Sequence, residues 1–259
     1  SKAKFIWHQR TILSKSNFWK CITILSDHFI GISQAVVNSA PSNIKPFRKS
    51  LVYNAFDANE RFNKQNSRDL INRKFPICKN AYVFGYVGRL VDYKNVDFLI
   101  KCLPKLMNST DKSIYLLIAG HGLEQHVTYL KNIVNKLNLQ SNIIFTGFVS
   151  NPLELISGLD VLVASSGIDA FGRTVIESML QSTPVLAANR GGHSEIIDDE
   201  IDGLLYNINC ENDFIEKALR LLEDYSLRDR LTYNALKKSS SQYTQRKLLL
   251  SIEDIYKSV

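Results

Sequence analysis

The chain has 259 residues, 45% of them hydrophobic and 22% charged, the balance of a soluble globular protein with a sizeable core rather than of a disordered one. A net charge of +7 suits an anionic ligand or surface, but Lys and Arg are scattered without a run of like charges, which argues against nucleic acid as a partner. No stretch of about 18 apolar residues occurs, so no membrane-spanning helix is expected.

Four cysteines, Cys21, Cys78, Cys102 and Cys210, form no C-x-x-C pair and lie near no His at zinc-ligand spacing, so they read as free thiols in a reducing cytosol. The opening Ser-Lys-Ala-Lys runs into a strand-like segment rather than the apolar core of a signal peptide. The absence of an initiator Met fits a trimmed chain or a piece of a longer one.

In chain order, residues 4–8 read as a short strand, 17–25 as a helix, 29–32 as a buried strand and 33–38 as a short helix. Ala40-Pro41-Ser42-Asn43 is a breaker cluster. Residues 50–53 form another strand, and the polar, charged stretch 59–74 reads as a linker. Beyond it the pattern turns regular. Residues 82–87 are a strand, and Val96, Leu99, Ile100, Leu103, Leu106 and Met107 recur at helical spacing behind Asn95 as N-cap. Residues 114–119 are an apolar run, as in a parallel strand buried on both faces. Leu123, Val127, Leu130, Val134 and Leu137 mark the next helix. Strands at 143–145, 161–164, 184–188 and 204–206 alternate with helices at 152–157 and 174–181, and helices follow at 211–223, 227–237 and 245–256. Such alternation with short loops predicts an α/β fold, a Rossmann-like parallel sheet with helices on both faces. Ligands of such sheets bind at the carboxyl ends of the strands, here the loops after Val87, Ala119, Phe145, Ala164 and Ala188.

Three of those loops carry candidate chemistry. In Gly88-Arg89-Leu90-Val91-Asp92-Tyr93-Lys94 the glycine permits a tight turn, and Arg89 and Lys94 are two cations suited to the charge that grows on a diphosphate leaving group. Two solvated surface charges are the alternative. The loop from Ser165 to Gly172 leads into a helix whose first N–H groups, near Phe171, Gly172 and Arg173, suit an anion. Asp169 lies in that loop, and Glu177 shares a helix face with Thr174, where a carboxylate can accept two hydrogen bonds from a ribose diol. A loop carboxylate and a first-turn helix carboxylate are the plain alternative. Gly191-Gly192-His193-Ser194-Glu195 again suggests backbone donors near a ligand.

Together and in this order, these sites resemble the retaining, nucleotide-sugar-dependent glycosyltransferases of GT-B fold, the glycosyl transferases group 1 (family 4-like). The resemblance rests on Gly88-Arg89-Leu90 with Lys94, and on Asp169, seven residues, then Glu177 with Phe171-Gly172 between them. Ile118-Ala119-Gly120-His121-Gly122, Phe145-Thr146-Gly147-Phe148, Gly191-Gly192-x-x-Glu195 and Asp202-Gly203 add to it. It implies that Arg89 and Lys94 hold the donor diphosphate, Glu177 binds the ribose and Asp169 faces the donor sugar. It implies further that the backbone of Phe171, Gly172, Arg173 and Thr174 contacts sugar and phosphates, and that the backbone near Phe148 and Val149 reads the base. The family most often has Glu where this chain has Asp169, one methylene shorter. His8 would approach the donor sugar, or be an ordinary strand-end residue; His121 and His193 read as turn residues. No cofactor and no metal are implied: Asp-x-Asp is absent, and Asp198-Asp199-Glu200 reads as a solvated loop.

The same resemblance divides the chain into residues 1–62 as a partial N-terminal, acceptor-binding lobe, 63–242 as the nucleotide-sugar-binding lobe, and 243–259 as a helix returning to the first lobe. It implies a UDP- or GDP-sugar donor, a glycan or lipid-linked acceptor, and hexose transfer in surface polysaccharide or glycolipid synthesis, in the cytoplasm or at the inner face of the membrane. A partner chain supplying the rest of the acceptor lobe, with this chain as a nucleotide-sugar-binding subunit, is the alternative, as is a nucleotide-sugar epimerase. Arg10, Lys15 and Lys20 beside Phe18 and Trp19 suit either an anionic membrane or a solvated helix face.

Overall fold

Residues 3–75, 77 and 80–259 are described by the computed structural model, so Ser1, Lys2, Pro76, Cys78 and Lys79 lie outside the described residues. The first unit is a three-stranded parallel sheet in the order β1-β2-β3, formed by β1 (Ile6–Gln9), β2 (His28–Gly31) and β3 (Lys49–Leu51). Helices α1 (Asn17–Leu25) and α2 (Gln34–Asn38) connect them. Each begins where a serine oxygen accepts an otherwise unpaired N–H: Ser16 from Phe18 and Ser33 from Val36.

The stretch expected to be a linker is largely helical: α3 spans Lys64–Lys74, capped by Asn63, whose side chain accepts from Asn66 N–H. Its apolar signal is thin, because only Ser67 and Ile71 are buried. Polar contacts dock it instead. Lys64 donates to Leu159 O at 2.8 Å, and Arg68 pairs with Asp160 at 2.8 Å while reaching Ala81 O.

The second unit holds β4 (Tyr82–Val87), α4 (Val96–Asn108), β5 (Ile114–Ala119), α5 (Glu124–Lys136), β6 (Ile143–Gly147), α6 (Pro152–Ser157), β7 (Val161–Ala164), α7 (Arg173–Leu180), β8 (Val185–Ala188), α8 (His193–Ile196), β9 (Leu204–Tyr206), α9 (Glu211–Glu223) and α10 (Tyr225–Gln242). Asn95 holds the N-cap position of α4, as expected, but its side chain makes no capping bond. It sits in the left-handed region at φ 57°, its N–H closes a turn on Asp92 O, and its side chain donates to Asn209.

All six strands pair in parallel, in the order β6-β5-β4-β7-β8-β9. Alternate residues face opposite sides. Phe84, Tyr86, Leu116, Ile118, Val161, Val163, Leu186 and Tyr206 pack under α4 and α9. Val83, Leu117 and Leu162 pack under α3 and α6, and Val185, Ala187 and Leu205 under α7. Both faces are therefore covered, which is why the strands read as continuous apolar runs.

The chain runs outward from β4 through β5 to β6, then returns to the other side of β4 with β7. The β4–β7 boundary is where strand order reverses, the place at which open parallel sheets bind their ligands. Finally, α11 (Gln245–Ser258) leaves the second unit: Phe56 N–H bonds to Tyr243 O at 2.9 Å, and Leu248, Ile252 and Ile255 pack against Ile30 and Val52 of the first sheet.

Candidate active site

The loops after β4 and β7 are tied to each other. Gly167 N–H bonds to Tyr93 O at 2.9 Å, and the Ser165 hydroxyl donates to Lys94 O at 2.7 Å. Neighbouring loops pack beneath them through glycines. A Cβ on Gly120 would lie 1.8 Å from Gly88 O, and one on Gly192 would lie 2.2 Å from Phe171 O. The Gly192 N–H already bonds to Asp169 O at 2.9 Å. That glycine therefore serves loop-on-loop packing, whereas its sequence context suggested a donor reserved for a ligand.

Between the units lies a cleft of about 500 Å³ that Gly88, Arg89, Lys94, Asp169, Phe171, Gly172, Arg173 and Thr174 all line. The facing wall comes from the ends of the first-unit strands: Arg10, Thr11 and Ile12 after β1, Ile32 after β2 and Asn54 beyond β3. Two parallel sheets thus present their carboxyl ends to one space.

Lys94 Nζ contacts Asp169 Oδ2 at 2.6 Å, and the buried His193 places Nε2 3.5 Å from the same oxygen. Burial pushes the Asp169 carboxyl up, but the His193 hydrogen bond and the Lys94 charge outweigh it and hold Asp169 well below the usual carboxylate range. The Arg89 guanidinium stands beside the Tyr93 ring and hydroxyl with no carboxylate partner among the described residues. Gly172 begins α7 at φ 99° without a side-chain cap, so the first turn presents its N–H groups to the cleft. Two cations, one ionised carboxylate and a helix start can bind an anionic, polar ligand and stabilise charge that develops on it.

Glu177 lies just beyond this cleft. It lines an adjoining cavity of about 570 Å³ with Asp57, Glu60 and residues 150–153, and Arg173 lines both spaces. Burial raises the Glu177 pKa, and Arg173, 3.3 Å away, partly offsets this. Phe148 and Val149 line neither space. The exposed Phe148 ring meets His121 at 6.1 Å, Val149 packs against the β4–β5 core, and the following residues Ser150 and Asn151 reach the Glu177 cavity. His8 is not brought to the cleft: β1 turns its ring toward Tyr256 of α11, 3.5 Å from the hydroxyl. Asp198, Asp199 and Glu200 are solvated, as expected, and each also pairs with a cation: Lys238, Lys217 and Arg220.

His193 and the Arg10–Ile12 segment were not anticipated as site residues. The strand-end rule could have found Arg10, the first residue after β1. No local pattern could have found His193, whose neighbour Asp169 is distant in sequence.

The model for glycosyl transferases group 1 matches residues 67–238. The Escherichia coli O-antigen biosynthesis glycosyltransferase WclY is 27% identical over 216 residues, covering 82% of this chain and 56% of that protein. The Bacillus anthracis N-acetyl-alpha-D-glucosaminyl L-malate synthase is 23% identical over 235 residues, covering 90% and 60%. The chain thus spans little more than half the length of these curated relatives. Crystal structures of Anabaena HepE with UDP and with UDP-glucose share its fold, with TM-scores of 0.90 and 0.88 at 21% identity, each over 99% of this chain and 72% of that one. The matched stretch runs from within α3 to within α10 and carries both loops that build the cleft, and the chain belongs to the glycosyl transferases group 1 family.

Proposed function

We propose that the protein transfers a hexose from a nucleotide-diphosphate sugar to a glycan or lipid-linked acceptor, retaining the anomeric configuration and using no metal. The observation that carries this reading is the meeting of Arg89, Lys94 and Asp169 in one cleft at the sheet's reversal point. The diphosphate would lie against Arg89, Lys94 and the α7 first turn, the ribose at Glu177, and the sugar at Asp169. As the bond from the anomeric carbon to the β-phosphate oxygen breaks, charge grows on that oxygen, where the two cations and N–H groups stabilise it. The acceptor hydroxyl oxygen bonds to the anomeric carbon from the same face, and its proton passes to the departing diphosphate. The likeness to HepE, crystallised with UDP-glucose, supports a uridine donor, and WclY supports a role in surface polysaccharide synthesis.

The acceptor would enter past Arg10, Thr11 and Ile12. No helix among the described residues is long and apolar enough to cross a membrane. A peripheral contact at the cytoplasmic face would use α1, whose Phe18, Ile24 and Leu25 are 63%, 78% and 73% exposed near Lys15 and Lys20. Trp19 is turned inward, stacked on Trp7 at 5.8 Å, and takes no part in that surface.

Calorimetric titration with UDP, GDP and ADP tests the donor assignment. One nucleotide should bind, and Arg89→Ala should weaken it about 10- to 100-fold, the scale of a lost charge-assisted hydrogen bond. Glu177→Ala should weaken the same nucleotide. Binding unchanged in Arg89→Ala overturns the diphosphate assignment.

A further inference from the structure

His193 is a histidine that the donor reading above does not use. It opens α8, its side chain is 1% exposed, and both ring nitrogens face oxygens. Nδ1 lies 3.3 Å from Ala188 O, the last residue of β8, and Nε2 lies 3.5 Å from Asp169 Oδ2. The ring is thus held between a strand end and the carboxylate. Gly172 backs it closely: a Cβ there would stand 3.1 Å from His193 Cδ2.

Asp169 is gripped from several sides. Its carbonyl accepts from Gly192 N–H, the residue before His193. Oδ2 faces Lys94 and His193, and Oδ1 accepts from Phe171 N–H at 3.4 Å. Backbone and side chain of Asp169 are therefore both set by consecutive residues of the β8 loop. Lys94 alone would leave the carboxylate able to pivot about a flexible four-carbon side chain. The buried imidazole is a rigid second anchor, packed against main chain on one side.

We propose that His193 is a positioning residue for transfer: it fixes the direction in which the short Asp169 carboxylate meets the donor sugar. The assignment rests on the donor reading of the cleft. His193 does not reach the cleft itself and acts through Asp169, so its effect falls on the reacting geometry and not on nucleotide affinity. Where Asp replaces a longer Glu, the group behind it decides where its oxygens point.

Two measurements test this. In the free protein, nitrogen-15 NMR of the imidazoles should show the His193 ring resonances moving on Asp169→Asn. Unmoved resonances overturn the pairing, and this arm needs no ligand. With UDP and UDP-glucose as probes, His193→Leu should keep UDP affinity within about twofold while turnover of UDP-glucose falls about tenfold or more. His193→Gln, which retains a donor near the Nε2 position, should recover part of the loss. In an Asp169→Asn background His193→Leu should cost nothing further, because both changes break one interaction. Wild-type turnover in His193→Leu, or losses that multiply in the double variant, overturn the proposal. A wild-type protein that binds no UDP removes the donor reading instead, while the NMR arm still judges the pair.

Discussion

The Glu195 carboxylate, in the same short helix α8 as His193, receives the backbone N–H of Gln34 at 2.7 and 2.8 Å, joining the second unit to the start of α2 in the first. The Ala35 N–H adds a longer contact at 3.4 Å. The neighbouring Tyr53 phenol is pushed up to about 12 by burial and by this carboxylate. One side chain thus ties the two walls of the cleft together. Glu195→Ala should lower stability by about 1 kcal/mol, the scale of a partly solvated charge-assisted bond. Thermal unfolding reads the loss, and donor KM should rise as the walls separate.

Gly192→Ala separates packing from backbone conformation. Gly192 has an ordinary φ of −63°, so the whole effect of the added methyl comes from its 2.2 Å approach to Phe171 O. The cost should be about 1–3 kcal/mol with loss of turnover, because the Asp169 loop must shift. Gly147→Ala is the counterpart. There a Cβ meets nothing within 4 Å but φ is +69°, so only strain of about 1 kcal/mol is expected, with turnover kept. Melting temperature beside turnover of the two variants distinguishes the cases.

The two site carboxylates shift in opposite directions and should give opposite pH slopes. Asp169 is held below its ordinary 3.8, so its contribution to stability is present above that value and disappears as pH falls through its folded pKa. The deficit of Asp169→Asn relative to wild type should be largest near neutrality and shrink in acid. Glu177 is raised above 4.5 by burial, so the folded protein binds its proton more tightly and stability falls as pH rises past 4.5. Glu177→Gln should therefore gain on wild type toward neutrality and lose that advantage in acid. Melting curves from about pH 2 to pH 8 test both signs.

The exposed face of α1 predicts binding to anionic vesicles. Serine at Phe18, Ile24 and Leu25 should abolish cosedimentation with phosphatidylserine-containing vesicles and leave the melting temperature within about 1 °C, since these side chains are exposed. Equal pelleting of wild type and variant overturns the membrane contact.

Much of the architecture was legible in the residue pattern for a local reason. Parallel strands buried on both faces are apolar runs, as Ile114–Ala119 is, and α9 shows its buried stripe of Phe214, Ile215, Ala218, Leu221 and Leu222 at helical spacing. The helix at 17–25 was legible too, and the caps Ser16 and Ser33 that start α1 and α2 were seen only in the structure. The helix α3 was not, because distant partners such as Leu159 and Asp160 hold it in place of an apolar stripe. Asn95 marked the start of α4, but its backbone, not its side chain, closes the turn before the helix.

The sequence by itself determined the strand–helix alternation, the loops with Arg89, Lys94, Asp169 and Glu177, and the family they resemble, since all of these are patterns within a few residues of one another. Only the tertiary structure decided that β7 lies against β4, that Lys94 and Asp169 meet at 2.6 Å, and that a buried His193 stands behind them. It also decided that His8 faces Tyr256 and that Glu195 crosses to Gln34. Strand order and loop-on-loop packing are set by how the whole core closes, and side chains far apart in the chain acquire their partners only then.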